Sequence, residues 1–371
     1  MKVPFYDSTR EYANYREDFD RAIADVIASG AFILGRQVAD FEEQVKNFTD
    51  AKYAVGVANG SDALLIASDI LGYRGADVLT PVFTFFASAS CVARLGGVPV
   101  FTDVDEDSFC MDMKDAENRM TSKTKGIIPV HLFLQAADMN ACMALAAQYR
   151  LSVLEDAAES FGMKTLYNGA FRHTGTMGDF GVFSFFPTKT LGAYGDGGML
   201  VTNNEEYYRL AKSYRTHGAT KKYHHDYIGY NSRLDTLQAA ILQVKLARMD
   251  AAIQKRAKHA AHYREALKDI SALKLPIVKD YNVPVDYVFC LQAEKRDQLE
   301  MCLKENEIGT SIYYPLPLHL QKCFEYLGHK KGDFPAAERL CETVIALPMF
   351  PELTDDEVSH VCDTVRKFYQ K

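Results

Sequence analysis

The sequence predicts an α/β protein: a large domain with a mainly parallel central sheet flanked by helices, then a smaller C-terminal α+β domain. Two observations carry this. Through the first two-thirds of the chain, short apolar runs alternate with helix-period patterns, the rhythm of strand–helix–strand units. After Pro276 the rhythm changes to a strand, a helix, a second strand and two late helices. The boundary falls near residue 250, giving domains over 1–250 and 251–371. With 371 residues, 48% of them hydrophobic and 25% charged, the chain is long enough for one large core and a companion.

Taken in order, Val38–Phe48 reads as an amphipathic helix with Phe41, Val45 and Phe48 on one face. Ser61–Leu71 and Ala137–Tyr149 are helical by the same criterion. Asp77–Pro81, Val98–Val104, Gly126–Val130, Ser152–Glu155, Gly181–Phe185 and Met199–Thr202 are short apolar runs of strand length. A long helical pattern after Asp235, with Leu237, Ile241 and Val244 on one side, leads out of the large domain. Beyond it come a strand at Tyr287–Gln292, a helix at Arg296–Asn306, a strand at Thr310–Tyr314, and helices at Ala336–Val344 and Asp355–Phe368.

Several function classes are disfavoured. A net charge of -7 argues against a nucleic-acid partner. No apolar run reaches membrane-spanning length, and the first residues lack a signal-peptide pattern, so a cytoplasmic protein is expected. The eight cysteines are scattered without a CxxC pair, which predicts reduced thiols and no cysteine metal site. Adjacent His224 and His225 point apart in a strand and suit chelation poorly, so no metal is expected.

Three stretches carry chemistry. Val57-Ala58-Asn59-Gly60-Ser61 feeds a turn into a helix, whose free N–H groups and positive dipole end suit a phosphate; Ser61 reads equally well as a helix cap. Leu154-Glu155-Asp156 delivers Asp156 to the carboxyl end of a strand, where open α/β sheets place ligands. There an acid can hold a protonated ring nitrogen, or simply cap the next helix. Ser184-Phe185-Phe186-Pro187-Thr188-Lys189 ends a strand and runs into the glycine-rich Gly192–Gly198 turn, a place for close approach to a ligand or for a plain exposed lysine.

In this order the three stretches resemble fold-type I pyridoxal-phosphate enzymes, and more closely the DegT/DnrJ/EryC1/StrS family of sugar aminotransferases. The resemblance runs from Pro4 to about Phe368. It includes Pro129-Val130-His131-Leu132-Phe133, Ile228-Gly229-Tyr230-Asn231-Ser232-Arg233-Leu234-Asp235, Tyr313-Tyr314-Pro315-Leu316-Pro317-Leu318-His319 and Leu347-Pro348-Met349-Phe350-Pro351. It implies that Lys189 forms the internal Schiff base and moves the substrate proton, and that Asp156 keeps the ring nitrogen protonated. It further implies that Ser184, Gly60 and Ser61 hold the phosphate and that Phe85 stacks on the ring, although a core role would also suit Phe85. Asn231 would reach the cofactor phosphate of a second subunit, making a homodimer with shared sites, although it also reads as a turn residue. Arg233, Tyr313, Tyr314 and His319 would line the nucleotide-sugar pocket, although Tyr314-Pro315 also reads as plain extended chain.

The implied reaction takes an amino group from glutamate, through the pyridoxamine form of the cofactor, to a nucleotide-linked keto sugar. Thr188-Lys189 and Gly195-Asp196-Gly197-Gly198 are similar to relatives acting at C-3, which favours a dTDP- or UDP-linked 3-keto hexose. A C-4 enzyme and a non-catalytic cofactor-binding relative are the alternatives, and a nucleotide-binding oxidoreductase is disfavoured because no G-x-G-x-x-G opens a βαβ unit near the N-terminus. Three positions depart from the family pattern. Glu159 stands beside the cofactor site where Gln or His is usual, and Leu134 and Ala136 replace a usual Gly and Pro.

Overall fold

The computed structural model describes residues 1–370. Its centre is a seven-stranded sheet built from β1 (Tyr53–Val57), β2 (Asp77–Pro81), β3 (Val98–Thr102), β4 (Thr124–Ile127), β5 (Ser152–Asp156), β6 (Phe180–Ser184) and β7 (Gly198–Thr202). The spatial order is β1-β7-β6-β5-β4-β2-β3, and β7 alone runs antiparallel to its neighbours. Helices cover both faces, which explains why the strands read as near-continuous apolar runs. Phe180, Val182 and Leu200 pack with Leu64 of the helix Gly60–Ile70 on one face. Phe183, Met199 and Val201, offset by one residue, pack with Phe41 and Leu242 on the other. Each such fully buried Phe or Val contributes about 1.5–3 kcal/mol.

Strand register assembles the site. Val57 and Ser184 both pair with Gly198, while Asp156 pairs with Val182. The ends of β1, β5 and β6 therefore lie together at one edge, with the helix Gly60–Ile70 starting there. Two glycines permit the closeness. A Cβ on Gly198 would fall 2.4 Å from the carbonyl carbon of Asn59, and one on Gly60 would fall 2.8 Å from Cβ of Ser184.

The C-terminal elements form a three-stranded antiparallel sheet of Leu273–Lys274, Phe289–Ala293 and Val344–Leu347, packed by Met249–Leu267, Arg296–Glu305, Pro335–Thr343 and Asp355–Tyr369. The last helix opens with a capping box between Thr354 and Glu357. Val3 joins this core and bridges to Ile308, so the first residues of the chain pack with the last third.

Two expectations are corrected, and two further elements appear that the sequence reading did not name. β1 was not anticipated, because Gly56 breaks an otherwise short apolar run. A hairpin of Lys164–Tyr167 and Ala170–His173 was also unforeseen. Thr310–Tyr314 makes only a single bridge, Ser311 to Ala346, and no strand. The helical pattern after Asp235 is two helices, Thr236–Leu246 and Met249–Leu267, and its most buried side chains include Ala239, Ala240, Ile241 and Leu242. Leu237 and Val244 stay half-buried. No helix among the described residues is long and apolar enough to cross a membrane.

Candidate active site

A cavity of about 380 Å³ opens at the strand ends, lined by Gly60, Ser61, Phe85, Asp156, Glu159, Ser184 and Lys189, with Tyr287, Tyr313 and Tyr314 closing it from the C-terminal elements. At one end is the start of Gly60–Ile70. Asn59, not Ser61, caps this helix, its side-chain oxygen accepting the Asp62 N–H at 2.7 Å. Gly60 and Ser61, the first residues of the helix, line the cavity together with Ser184, and a helix start placed this way suits a dianionic phosphate.

On the cavity wall, Asp156 is 4% exposed. Its carboxylate accepts the Ser88 hydroxyl at 2.7 Å and the Ala158 N–H at 3.2 Å. Burial raises its pKa, partly offset by Ser88, Ala158 and the Lys189 charge. A cationic ring nitrogen placed against it would return it to the ionised form. Ser88 escaped the sequence reading; it lies in the first turn of the helix Ala87–Arg94, with its hydroxyl also 3.1 Å from that of Thr84 in the preceding loop.

Lys189 sits at the loop's first turn, its N–H bonded to Phe186 O at 2.9 Å. The Tyr6 hydroxyl donates to Pro187 O at 2.5 Å, and the Gln238 amide brackets the backbone of Tyr194 at 2.9 and 3.3 Å. Lys189 Nζ lies 3.0 Å from Glu159 Oε1 and 4.8 Å from the centroid of the Tyr287 ring. Burial pulls the ammonium down, but Glu159, Tyr287 and Asp156 more than reverse this, so its pKa stands above the ordinary lysine value. Tyr287 also escaped the sequence reading. It is held through its carbonyl by the buried Arg256 at 3.1 Å, a contact between distant segments with no local signature.

Strand alternation turns Glu155 to the other side of the sheet from Asp156. There it accepts N–H groups of Gly175, Met177 and Gly178 at 2.6–2.8 Å. His131 Nδ1 accepts the Ala137 N–H at 3.1 Å, so Nε2 carries the proton and donates to Glu155 at 2.9 Å. This pair fixes the loop whose Phe133 N–H donates to Glu159 at 3.3 Å.

Three expected residues lie elsewhere. Asn231 is exposed, bridged to Thr216, and Arg233 does not line the cavity. His319 is corrected to a packing residue: the short helix Leu318–Leu320 turns it inward, 2% exposed, against Phe334 and onto Glu338 at 3.1 Å.

The cavity fits pyridoxal phosphate: its lining brings together a helix start and Ser184 suited to a phosphate, the amine of Lys189, the buried acid Asp156 and the exposed ring of Phe85. The model of the DegT/DnrJ/EryC1/StrS aminotransferase family matches residues 13–366. The chain is 43% identical to a "Pleiotropic regulatory protein" of Geobacillus stearothermophilus, covering 100% of this chain and 99% of that one. It is 38% identical to a UDP-N-acetyl-3-dehydro-alpha-D-glucosamine 3-aminotransferase of Acidithiobacillus ferrooxidans, over 98% and 97% of the two chains. Among solved structures, Streptomyces venezuelae DesV in complex with a ketimine intermediate superposes with a TM-score of 0.96 at 35% identity, over 100% and 99%. The chain belongs to the DegT/DnrJ/EryC1/StrS family and is a pyridoxal-phosphate-dependent sugar aminotransferase.

Proposed function

We propose that this enzyme moves an amino group from glutamate to C-3 of a keto sugar carried on a nucleotide, UDP or dTDP. The observation that carries the reading is the convergence of Lys189, Asp156 and the Gly60–Ser61–Ser184 cradle on one cavity. Likeness to a UDP-linked 3-aminotransferase supports C-3.

The bound cofactor supplies an electron sink that makes a substrate C–H acidic. Asp156, fixed by Ser88 and Ala158, holds the positive charge on the ring nitrogen. Gly60, Ser61 and Ser184 anchor the phosphate, and Phe85 limits movement across the ring face. Lys189, once its amine is free, takes the substrate proton and returns it to a carbon two atoms away, a transfer its flexible side chain permits. Tyr287, Tyr313 and Tyr314 exclude water from that side and present hydroxyls to a sugar.

The site works in a homodimer. Phe32, Ile33 and Leu34 are 40–49% exposed, and Ile33 bridges to Asp235 close to Asn231 and Arg233; Ile228 is 93% exposed on the same loop. A second copy covering these apolar side chains would receive Asn231 at its phosphate cradle and Arg233 near its nucleotide. The unpaired cysteines agree with a reducing, cytoplasmic setting.

The test incubates the protein with pyridoxal phosphate, glutamate and a panel of UDP- and dTDP-linked 3-keto and 4-keto sugars, detecting amino sugar by mass. Product from a 3-keto sugar supports the reading. Product only from 4-keto sugars moves the reaction to C-4. Cofactor binding without turnover on any sugar favours a non-catalytic role, the reading that the regulatory name of the Geobacillus relative supports.

A further inference from the structure

Glu159 enters the cavity from the turn after β5, 8% exposed, with one oxygen 3.0 Å from Lys189 Nζ and the other accepting the Phe133 N–H at 3.3 Å. The other titratable groups facing the amine are Asp156, Tyr287 and Tyr313. Asp156 is engaged by Ser88 and Ala158. Tyr287 presents its ring face, and burial keeps the Tyr313 hydroxyl protonated. Glu159 is thus the one carboxyl group in hydrogen-bond contact with the amine. The Phe133 N–H holds that carboxylate in place, and the Glu155–His131 pair holds the loop of Phe133.

We propose that Glu159 is the proton-holding partner of Lys189 in the cofactor-free chain: its contact favours the ammonium over the neutral amine, and thereby sets the pH at which Lys189 becomes a nucleophile toward an incoming aldehyde. Condensation of an amine with an aldehyde forms one C=N bond and releases one water, and it begins from the neutral amine. A proton must leave the Lys189 ammonium first, and the ion pair opposes its leaving. Glu159 therefore slows recapture of the cofactor by the lysine and favours the state in which the lysine is free. That consequence rests on the proposed role of Lys189; the ion pair itself does not. Glu159 acts through Lys189 and is a positioning residue.

The test uses the full cofactor-free chain as wild type, Glu159→Gln and Glu159→Ala. The first probe is trinitrobenzenesulfonate, from whose ring a neutral amine displaces sulfite; modification at position 189 is followed by peptide mass across pH, with Lys189→Ala as background. The second probe is pyridoxal phosphate, its capture followed by visible absorbance. Both variants should move the midpoint of Lys189 reactivity down by about one pH unit or more, so that below the wild-type midpoint modification is about tenfold faster. Other lysines should keep their profiles. Should the Gln and Ala variants fail to fold, Glu159→Asp carries the test, its shorter carboxylate lowering the midpoint by less. Coincident profiles in wild type and variants, or an upward movement, would overturn the inference even if pyridoxal phosphate is captured. Separated profiles without capture by any variant would uphold the ion pair and sink the cofactor role of Lys189.

Discussion

Replacing Gly60 by alanine sets one methyl group between the phosphate cradle's two halves. The new Cβ would stand 2.8 Å from Ser184 Cβ and 3.2 Å from its hydroxyl oxygen, whereas ordinary contact begins at 3.4 Å. The helix start and β6 must separate by about 0.6 Å to restore contact. Alanine is the better helix former by up to about 1 kcal/mol, and overpacking costs about 1–3 kcal/mol, so the cofactor-free chain should change little in stability. Under the proposed assignment, the Gly60–Ser61 N–H groups and the Ser184 hydroxyl must converge on one phosphate. Moving one set by about 0.6 Å weakens at least one charge-assisted hydrogen bond, each worth about 1.5–3 kcal/mol. A loss of about 2–3 kcal/mol raises the Kd for pyridoxal phosphate about 30- to 140-fold. Equilibrium dialysis and thermal melts with and without cofactor measure both quantities. Wild-type affinity in Gly60→Ala would refute the assignment of this helix start to the phosphate.

Other consequences can be checked independently. Asp156→Asn should stabilise the cofactor-free chain at neutral pH, because burial raises the pKa of this carboxyl and its ionised form costs stability once pH exceeds the folded value. The same variant should abolish transamination, so melting curves and turnover should move in opposite directions. His173 is held neutral, its pKa lowered from 6.5 to about 4 by burial and then by Lys164. A depressed folded pKa contributes stability above 6.5 that is lost as pH falls toward 4. Urea unfolding of wild type and His173→Gln should therefore converge across that window, by at most about 3 kcal/mol. Mixing inactive Lys189→Ala with inactive Asn231→Ala should restore about a quarter of wild-type activity if a symmetric dimer shares its sites; no recovery after verified subunit exchange would place each site within one chain.

Much of this was legible because the site sits at strand ends. Asp156 and Ser184 close apolar runs whose extent is readable, and Asn59-Gly60-Ser61 precedes a clear helix period. Strand pairing is not readable in the same way. That Val57 and Ser184 share Gly198 as a partner depends on β7 inserting antiparallel between β1 and β6. The supporting residues were missed for a related reason. Ser88 reaches Asp156 across 68 positions, and Arg256 holds Tyr287 from another element, so no window of sequence contains either contact. The role expected for His319 failed because Pro317 leads into a short 3₁₀ turn that folds the ring under Phe334 and away from the cavity. Position in a motif did not reveal direction.

The central claim is that Lys189 is the covalent anchor of the cofactor. Borohydride reduction of the pyridoxal-phosphate-loaded protein, followed by peptide mass analysis, tests it most directly. The account predicts a single phosphopyridoxyl adduct on Lys189, lost when the protein is first treated with glutamate and absent from Lys189→Ala. An adduct on another lysine, or none on a protein that holds the cofactor, would contradict it.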